Sequence, residues 1–363
     1  MRCSNAVKKP RRTGALNHDL SDSPMDLMFN RLKAVSSRTR DAFRQAQAQL
    51  AQAAGYGLMN HHTFTDYAER SLLLQGRLAA RTNPVGRRIA DLSEAEFCVF
   101  SQWGEDGIIE WLVAHVDTPN ARFVEFGVET FREANCRFLM QNRNWKGLVL
   151  DGSEANMAAL RTQPLFWKHH LETRAAFVTA ENINKLISEA GFAGPLGILS
   201  IDIDGNDYWI WNAIDCVNPA IVICEYNPIF GDMRAVTIPY DPEFQRLKAH
   251  YSGLYFGASI AALRHLAGQK GYSFVGTNSN GINAFFVKND LAATVLELLG
   301  AARAHPSRHR DSRDAAGQLT FTGGADRLTL IGDMRVVDVE SGCEILLKEI
   351  LQPYSDDWAR RMA

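Results

Sequence analysis

No two of the six cysteines in this 363-residue chain form a Cys-x-x-Cys pair. Cys3, Cys98, Cys136, Cys216, Cys224 and Cys343 stand apart, several of them inside apolar runs. Buried, reduced thiols in a cytoplasmic protein are therefore expected. No apolar run approaches the roughly 20 residues that cross a bilayer, and none of signal-peptide length follows the basic N-terminus. Neither a membrane span nor export is expected. An excess of one charge is missing too: 39 Lys and Arg against 41 Asp and Glu leave a net −2, no field for nucleic acid or a membrane surface. There is no internal repeat. What remains is an ordinary soluble balance, 46% hydrophobic and 22% charged, long enough for two domains or one large domain with extensions.

Residues 1–25 are basic and polar, with Pro10, Gly14 and Pro24, and read as a disordered tail. Residues 26–96 read as a helical lead-in. Met28, Leu32, Val35, Thr39, Ala46 and Leu50 recur at helical spacing, with Gly55 as a stop. This stretch is a packing helix or a homodimer helix. A second helix is predicted over 65–81, broken by "RTNPVG". From 97 to 300 the pattern alternates. Strands are predicted at 122–128, 147–153, 175–180, 197–205 and 220–226, with helices at 132–142, 154–162, 181–191, 207–214 and 258–272. Two further strands around a turn fit 272–288, adding an antiparallel strand at one end. Near-continuous apolar strands between helices imply a Rossmann-like, doubly wound, mostly parallel seven-stranded α/β sheet. Residues 301–363 form a C-terminal extension, with a mobile loop at 301–325 and an accessory strand pair within 327–339.

Open parallel sheets bind ligands beyond the carboxyl ends of their strands. The residues predicted there are Glu125 and Gly127, then Asp151, Thr179 and Glu181, then Asp202 and Asp204, then Glu225 and Asn227. A rim of carboxylates repels phosphate and suits a cation, ribose hydroxyls or a divalent metal. "EFGVETFRE" offers one glycine where a dinucleotide loop wants three, which disfavours NAD. S-adenosylmethionine carries a sulfonium and no phosphate. One glycine permits its close approach, and Asp151 could accept both ribose hydroxyls.

"FSQWGEDGIIEWL" (100–112), "RFVEFGV" (122–128), Asn135, "NWKGLVLDGS" (144–153) and "ILSIDIDGNDYWIW" (198–211), in this order, resemble the FkbM-like class I methyltransferases over roughly 97–290. The resemblance implies S-adenosylmethionine as cofactor and methyl transfer, often to an oxygen of a sugar or natural product. It implies a lid at 101–107, with Gln102 and Glu105 near the polar end of the cofactor; Ser101 as a helix cap is the alternative. Many relatives carry a second glycine after the first strand, where this chain has Glu129-Thr130.

Methyl transfer to a hydroxyl needs alignment and a base. Asp202 and Asp204 are the leading catalytic candidates, with Asp202 also beside the cofactor, and His250 is a remoter base. Asp202, Asp204, Glu225 and Asn227 form a candidate ligand set for Mg²⁺ or Mn²⁺. Metal-assisted and metal-free mechanisms both stay open. Asp207 suits a structural acid at a helix start, and Trp209 and Trp211 suit the core. His61-His62 and His169-His170 point apart and read as surface or packing residues. The irregular segment 227–244 is expected to shape the acceptor pocket through Asp232 and Arg234. The expectation is a cytoplasmic O-methyltransferase acting on a small-molecule or glycan acceptor. Rival readings are a catalytically degenerate scaffold and a nucleotide-sugar oxidoreductase.

Overall fold

Apolar runs without polar alternation need cover on both faces, and the strands receive it. The computed structural model describes Gln45, Gln49, Leu50, Gln52, 64–308 and 310–362. The chain divides into two compact units, Met1–Glu69 and Arg70–Ala363. In the first, every described residue is helical. The predicted helix over 26–53 and His61-His62 lie almost wholly outside the described residues. In the second unit, 70–82 are helical and the helix stops ahead of Asn83-Pro84, where the breaker signal put it.

The second unit is built on ten strands: β1 (Arg122–Phe126), β2 (Lys146–Asp151), β3 (Leu171–Ala175), β4 (Gly194–Ile201), β5 (Val217–Glu225), β6 (Val236–Thr237), β7 (Tyr272–Thr277), β8 (Asn283–Lys288), β9 (Arg335–Asp338) and β10 (Glu344–Leu346). Seven of them form one sheet in the order β3-β2-β1-β4-β5-β8-β7. β1 to β5 run parallel, and β8 is antiparallel to both β5 and β7. The sheet is therefore mixed and mostly parallel, as expected, but its reversed strand lies one place in from the edge. Helices α1 (Glu105–His115), α2 (Arg137–Arg143) and α3 (Glu154–Arg161) cover one face; α4 (Ile183–Glu189), α5 (Asp207–Ala213) and α6 (Ile260–Lys270) cover the other.

Alternation along the strands feeds both layers. Phe123, Ile198 and Ile223 point into one core, and Val124, Leu199 and Val222 into the other. Trp211 is fully buried, 4.8 Å from Phe286, so it belongs to the core as expected. Trp209 donates its indole N–H to the Ile238 carbonyl at 2.8 Å.

β3 corrects the predicted strand at 175–180. The edge strand is the alternating "LETRA", with Leu171 and Thr173 buried, whereas Ala176, Phe177 and Val178 leave the ladder and line a cavity. An apolar run there serves a cavity wall, not a strand.

A smaller sheet, β10-β9-β6, sits over its own core of Phe230, Ile238, Leu254, Ile331 and Leu347. It corrects the expected strand pair within 327–339: Asp326–Leu330 is helical, and β9 pairs with β10 and β6 instead. The described residues of 301–325, a segment expected as a mobile loop, are tied down by bonds such as Arg308 N–H to Asn280 O and Arg313 N–H to Ser252 O, both 3.1 Å.

Candidate active site

β1 leads through β2 to β3 on one side, and β4 leads to β5 on the other, so the strand order reverses between β1 and β4. A crevice opens at such a point. Gly127 sits in it with φ +71, and a Cβ on it would lie 1.7 Å from the Asp202 carbonyl oxygen. Only glycine lets the two strand ends approach this closely. Two positions on, Glu129 has φ +46 without being glycine. That is the place where the resembled family often carries its second glycine.

Two cavities meet at this point, sharing Gly127, Glu129, Asp202 and Asp204. One, of ≈ 320 Å³, is walled by Leu150, Phe177, Val178 and Phe244, with Asp151 at its polar edge. The other, of ≈ 230 Å³, is polar and acidic, and Glu225, Asn283, Arg246, Asp311 and Arg327 lie along it.

The carboxylates at the strand ends fall into two groups. Those on the β1 and β2 side are held by backbone N–H groups. Glu125 is buried and accepts from Asn135 N at 2.7 Å and Cys136 N at 3.1 Å, fixing the start of α2. Burial pushes its carboxyl up to about 7 against the pull of those two N–H groups. Asp151 accepts from Ser153 N and the Asn156 amide through Oδ1, and from Glu129 N through Oδ2. A carboxylate has about four acceptor positions, so Asp151 has room for about one further donor rather than both ribose hydroxyls.

Asp207 behaves like the first group. It is the first residue of α5, and its oxygens accept from Ile203 N at 2.8 Å and Gly205 N at 3.0 Å. It closes the loop after β4, the structural role expected of it.

Asp202 and Glu225 differ. Glu225 is 7% exposed, and its Oε2 has no hydrogen-bond partner among the described residues. Its carboxyl is driven well above the ordinary range by burial first and then by Asp202. Asp202 is raised well above its ordinary value by burial, then by Asp204, Asp207 and Glu125. The balancing cation, Arg246, is already engaged. It bonds Asp204 at 2.6 Å, Asp311 at 3.4 Å and the Gly253 carbonyl at 2.5 Å, and lies 3.8 Å over the Phe256 ring.

Several expected site residues stand elsewhere. β4 ends at Ile201, so Asp202 and Asp204 do not share a strand face; Asp204 has φ +55, is largely exposed and faces Arg246. Asn227 gives its amide hydrogens to Leu254 O and Phe256 O and accepts from Ile229 N, which spends it on loop structure. The four expected metal ligands thus reduce to Asp202 and Glu225. Among the described residues no group of three His, Cys, Asp or Glu side chains converges on a metal position. His250 lines neither cavity and pairs with Ser252 at 2.7 Å.

Thr179 also lies off both cavities; its N–H bonds the Asn182 side chain, in the loop beyond β3. Gln102 lines the acidic cavity, while Glu105 is fully buried beside it and accepts from Asn278 at 2.7 Å, Asn283 at 3.2 Å and Trp103 N at 2.9 Å. Asp232 and Arg234 bind Ser355 and Asp338, and so anchor the C-terminal extension rather than a ligand. Residues that sequence reasoning missed are Phe177, Arg246, Asn283, Asp311 and Arg327. Of these only Phe177 carried a signal, an apolar residue in a short run after β3.

No protein-family model matches the chain, and no curated protein matches it. Among solved structures it is similar to the N-terminal domain of EvdMO1 with SAH bound, at 11% identity and TM-score 0.30, covering 47% of this chain and 73% of that one. It is also similar to an S-adenosylmethionine-dependent methyltransferase from Clostridium acetobutylicum ATCC 824, at 9% identity and TM-score 0.33, covering 51% and 90%. A third is the O-methyltransferase from Bacillus cereus in complex with SAH, at 16% identity and TM-score 0.32, covering 47% and 74%. At such low scores nothing about activity passes from these proteins to this chain.

Proposed function

We propose that this protein is an S-adenosylmethionine-dependent methyltransferase of class I, acting on a hydroxyl, with a sugar hydroxyl of a glycan or glycosylated small molecule as the acceptor type. The observation that carries the reading is the paired cavity at the strand-order reversal: an apolar chamber edged by Asp151 joins an acidic one at Gly127 and Asp202. No glycine-rich cradle for phosphate is present in the loop after β1, and a net acidic chamber favours a cation.

The chain's own groups fit that cofactor. Leu150, Phe177, Val178 and Phe244 offer apolar walls for a flat aromatic base, and Asp151 has capacity for a ribose hydroxyl. Gly127 allows the chain of the ligand to pass close to the backbone between the chambers. When bound, S-adenosylmethionine supplies a methyl group activated by its sulfonium. Asp202 faces both chambers, and its elevated proton affinity makes the ionised carboxylate a strong base for the acceptor hydroxyl. Arg246 holds Asp204 and Asp311 together and braces the wall around the acceptor. Ser307, Asp311 and Arg327, from the C-terminal extension, line the acidic chamber and narrow it.

Titration calorimetry with S-adenosylhomocysteine tests the cofactor. Saturable binding is expected, weakened roughly tenfold by D151A, the loss of one charge-assisted hydrogen bond. Absence of heat and of any thermal shift at millimolar ligand would refute it.

A further inference from the structure

The cofactor brings one net positive charge, and the acidic chamber has more unmet demand than that. Glu125 is spent on two backbone N–H groups, and Asp204 and Asp311 on Arg246. Asp202 and Glu225 have no hydrogen-bonded cation and feel Arg246 only from a distance. Across the β5–β8 ladder, Glu225 stands directly opposite Asn283. Asn283 gives its amide nitrogen to Glu105 at 3.2 Å, which fixes its oxygen the other way round. That oxygen, Asn283 Oδ1, is buried and has no partner among the described residues, and neither has Glu225 Oε2. Both residues are more than nine-tenths buried, and both line the same cavity. Two buried oxygens, one of them on a carboxyl that burial and Asp202 push toward its protonated form while the cleft is empty, therefore lie along this cavity without a partner among the described residues. Such groups are costly unless a ligand satisfies them. A neutral hydroxyl offers one O–H and no charge. An ammonium offers three N–H donors and the missing charge.

We propose, resting on the methyltransferase reading, that the acceptor carries a protonated amine beside the hydroxyl it methylates, and that Glu225 and Asn283 hold this ammonium. Asp202 then stays free to take the hydroxyl proton, and methylation leaves the amine unchanged.

The test uses the full chain with S-adenosylmethionine and reads release of S-adenosylhomocysteine. The acceptors are amino alcohols, amino sugars and aminoglycosides, each run beside its N-acetyl derivative, with and without Mg²⁺. The expected result is turnover of at least one amine, at least a hundredfold drop in kcat/KM on its N-acetylation carried mainly by KM, and no need for Mg²⁺. E225Q should raise KM for the amine at least tenfold and erase the preference. If E225Q does not fold, the wild-type pairs decide alone. Equal use of amine and N-acetyl partners, use of neutral acceptors only, Mg²⁺-dependent use of neutral acceptors, or no turnover of any amine while S-adenosylhomocysteine binds would each overturn the proposal. Failure of S-adenosylhomocysteine to bind overturns the methyltransferase reading beneath it.

Discussion

The carboxyl ends of β1 and β2 carry the same residue type as those of β4 and β5, in opposite circumstances. Glu125 and Asp151 receive backbone N–H groups from the loops that follow them. Glu225 receives none, and Asp202 lies at the junction of the two cavities with its proton affinity raised by burial and then by neighbouring acids. An acid at a strand end builds the loop when its oxygens are taken by amides. It is left for chemistry when they are not. The difference lies in where the following N–H groups go: those of Asn135 and Cys136 return to Glu125, whereas those of Tyr226 and Asn227 go to the Ile282 and Ala258 carbonyls.

Substitutions should separate the two sides. D202N is expected to cut turnover by about 10²- to 10⁴-fold, the usual range for a lost general base, while leaving the protein folded. A turnover near wild type would show that the unheld acid is not the base. E125A should act on the other axis, lowering the unfolding free energy by about 2–4 kcal/mol, because Asn135 and Cys136 lose the acceptor for two buried N–H groups. Urea titration followed by circular dichroism measures it, and a loss confined to activity would dissolve the distinction.

pH sharpens the same contrast. Burial raises Glu125 from 4.5 to about 7, and raises Asp106 and Asp207 from 3.8 to about 6. Each holds its proton more tightly folded than unfolded. Its contribution is therefore complete below the unfolded value and is lost as pH rises through the folded one. Urea midpoints should fall from about pH 4.5 to about 7; a midpoint rising over that window would contradict the assignment. The smallest effect is expected at Glu129, whose φ of +46 suits glycine. E129G should stabilise by about 0.5 kcal/mol, the relief of the left-handed backbone outweighing the added chain freedom of glycine. A loss of stability would mean that the Glu129 side chain holds the loop.

Much of this was legible in the sequence. The central strands announced themselves because burial on both faces leaves no polar alternation, as in "GILSI" of β4. Gly127, Asp151, Asp202 and Glu225 could be picked because they follow such runs directly. β3 could not, since an edge strand alternates like a half-exposed surface, and the apolar Phe177–Val178 beyond it imitates a strand. Arg246, Asp311 and Arg327 reach the cleft from segments far along the chain, through long-range packing that no local pattern encodes. His250, Asp232 and Arg234 misled for the converse reason. Their residue types suit a site, but their partners are Ser252, Ser355 and Asp338.

One measurement bears on the unheld pair most directly: calorimetric titration of S-adenosylmethionine in two buffers of different ionisation enthalpy near pH 7. Asp202 and Glu225 bind protons more tightly than ordinary carboxylates, and a cation entering the cleft favours their ionised forms. Binding accompanied by net proton release, reduced in D202N, is the expected result. Binding with no proton exchange, or none at all at millimolar ligand, would contradict it.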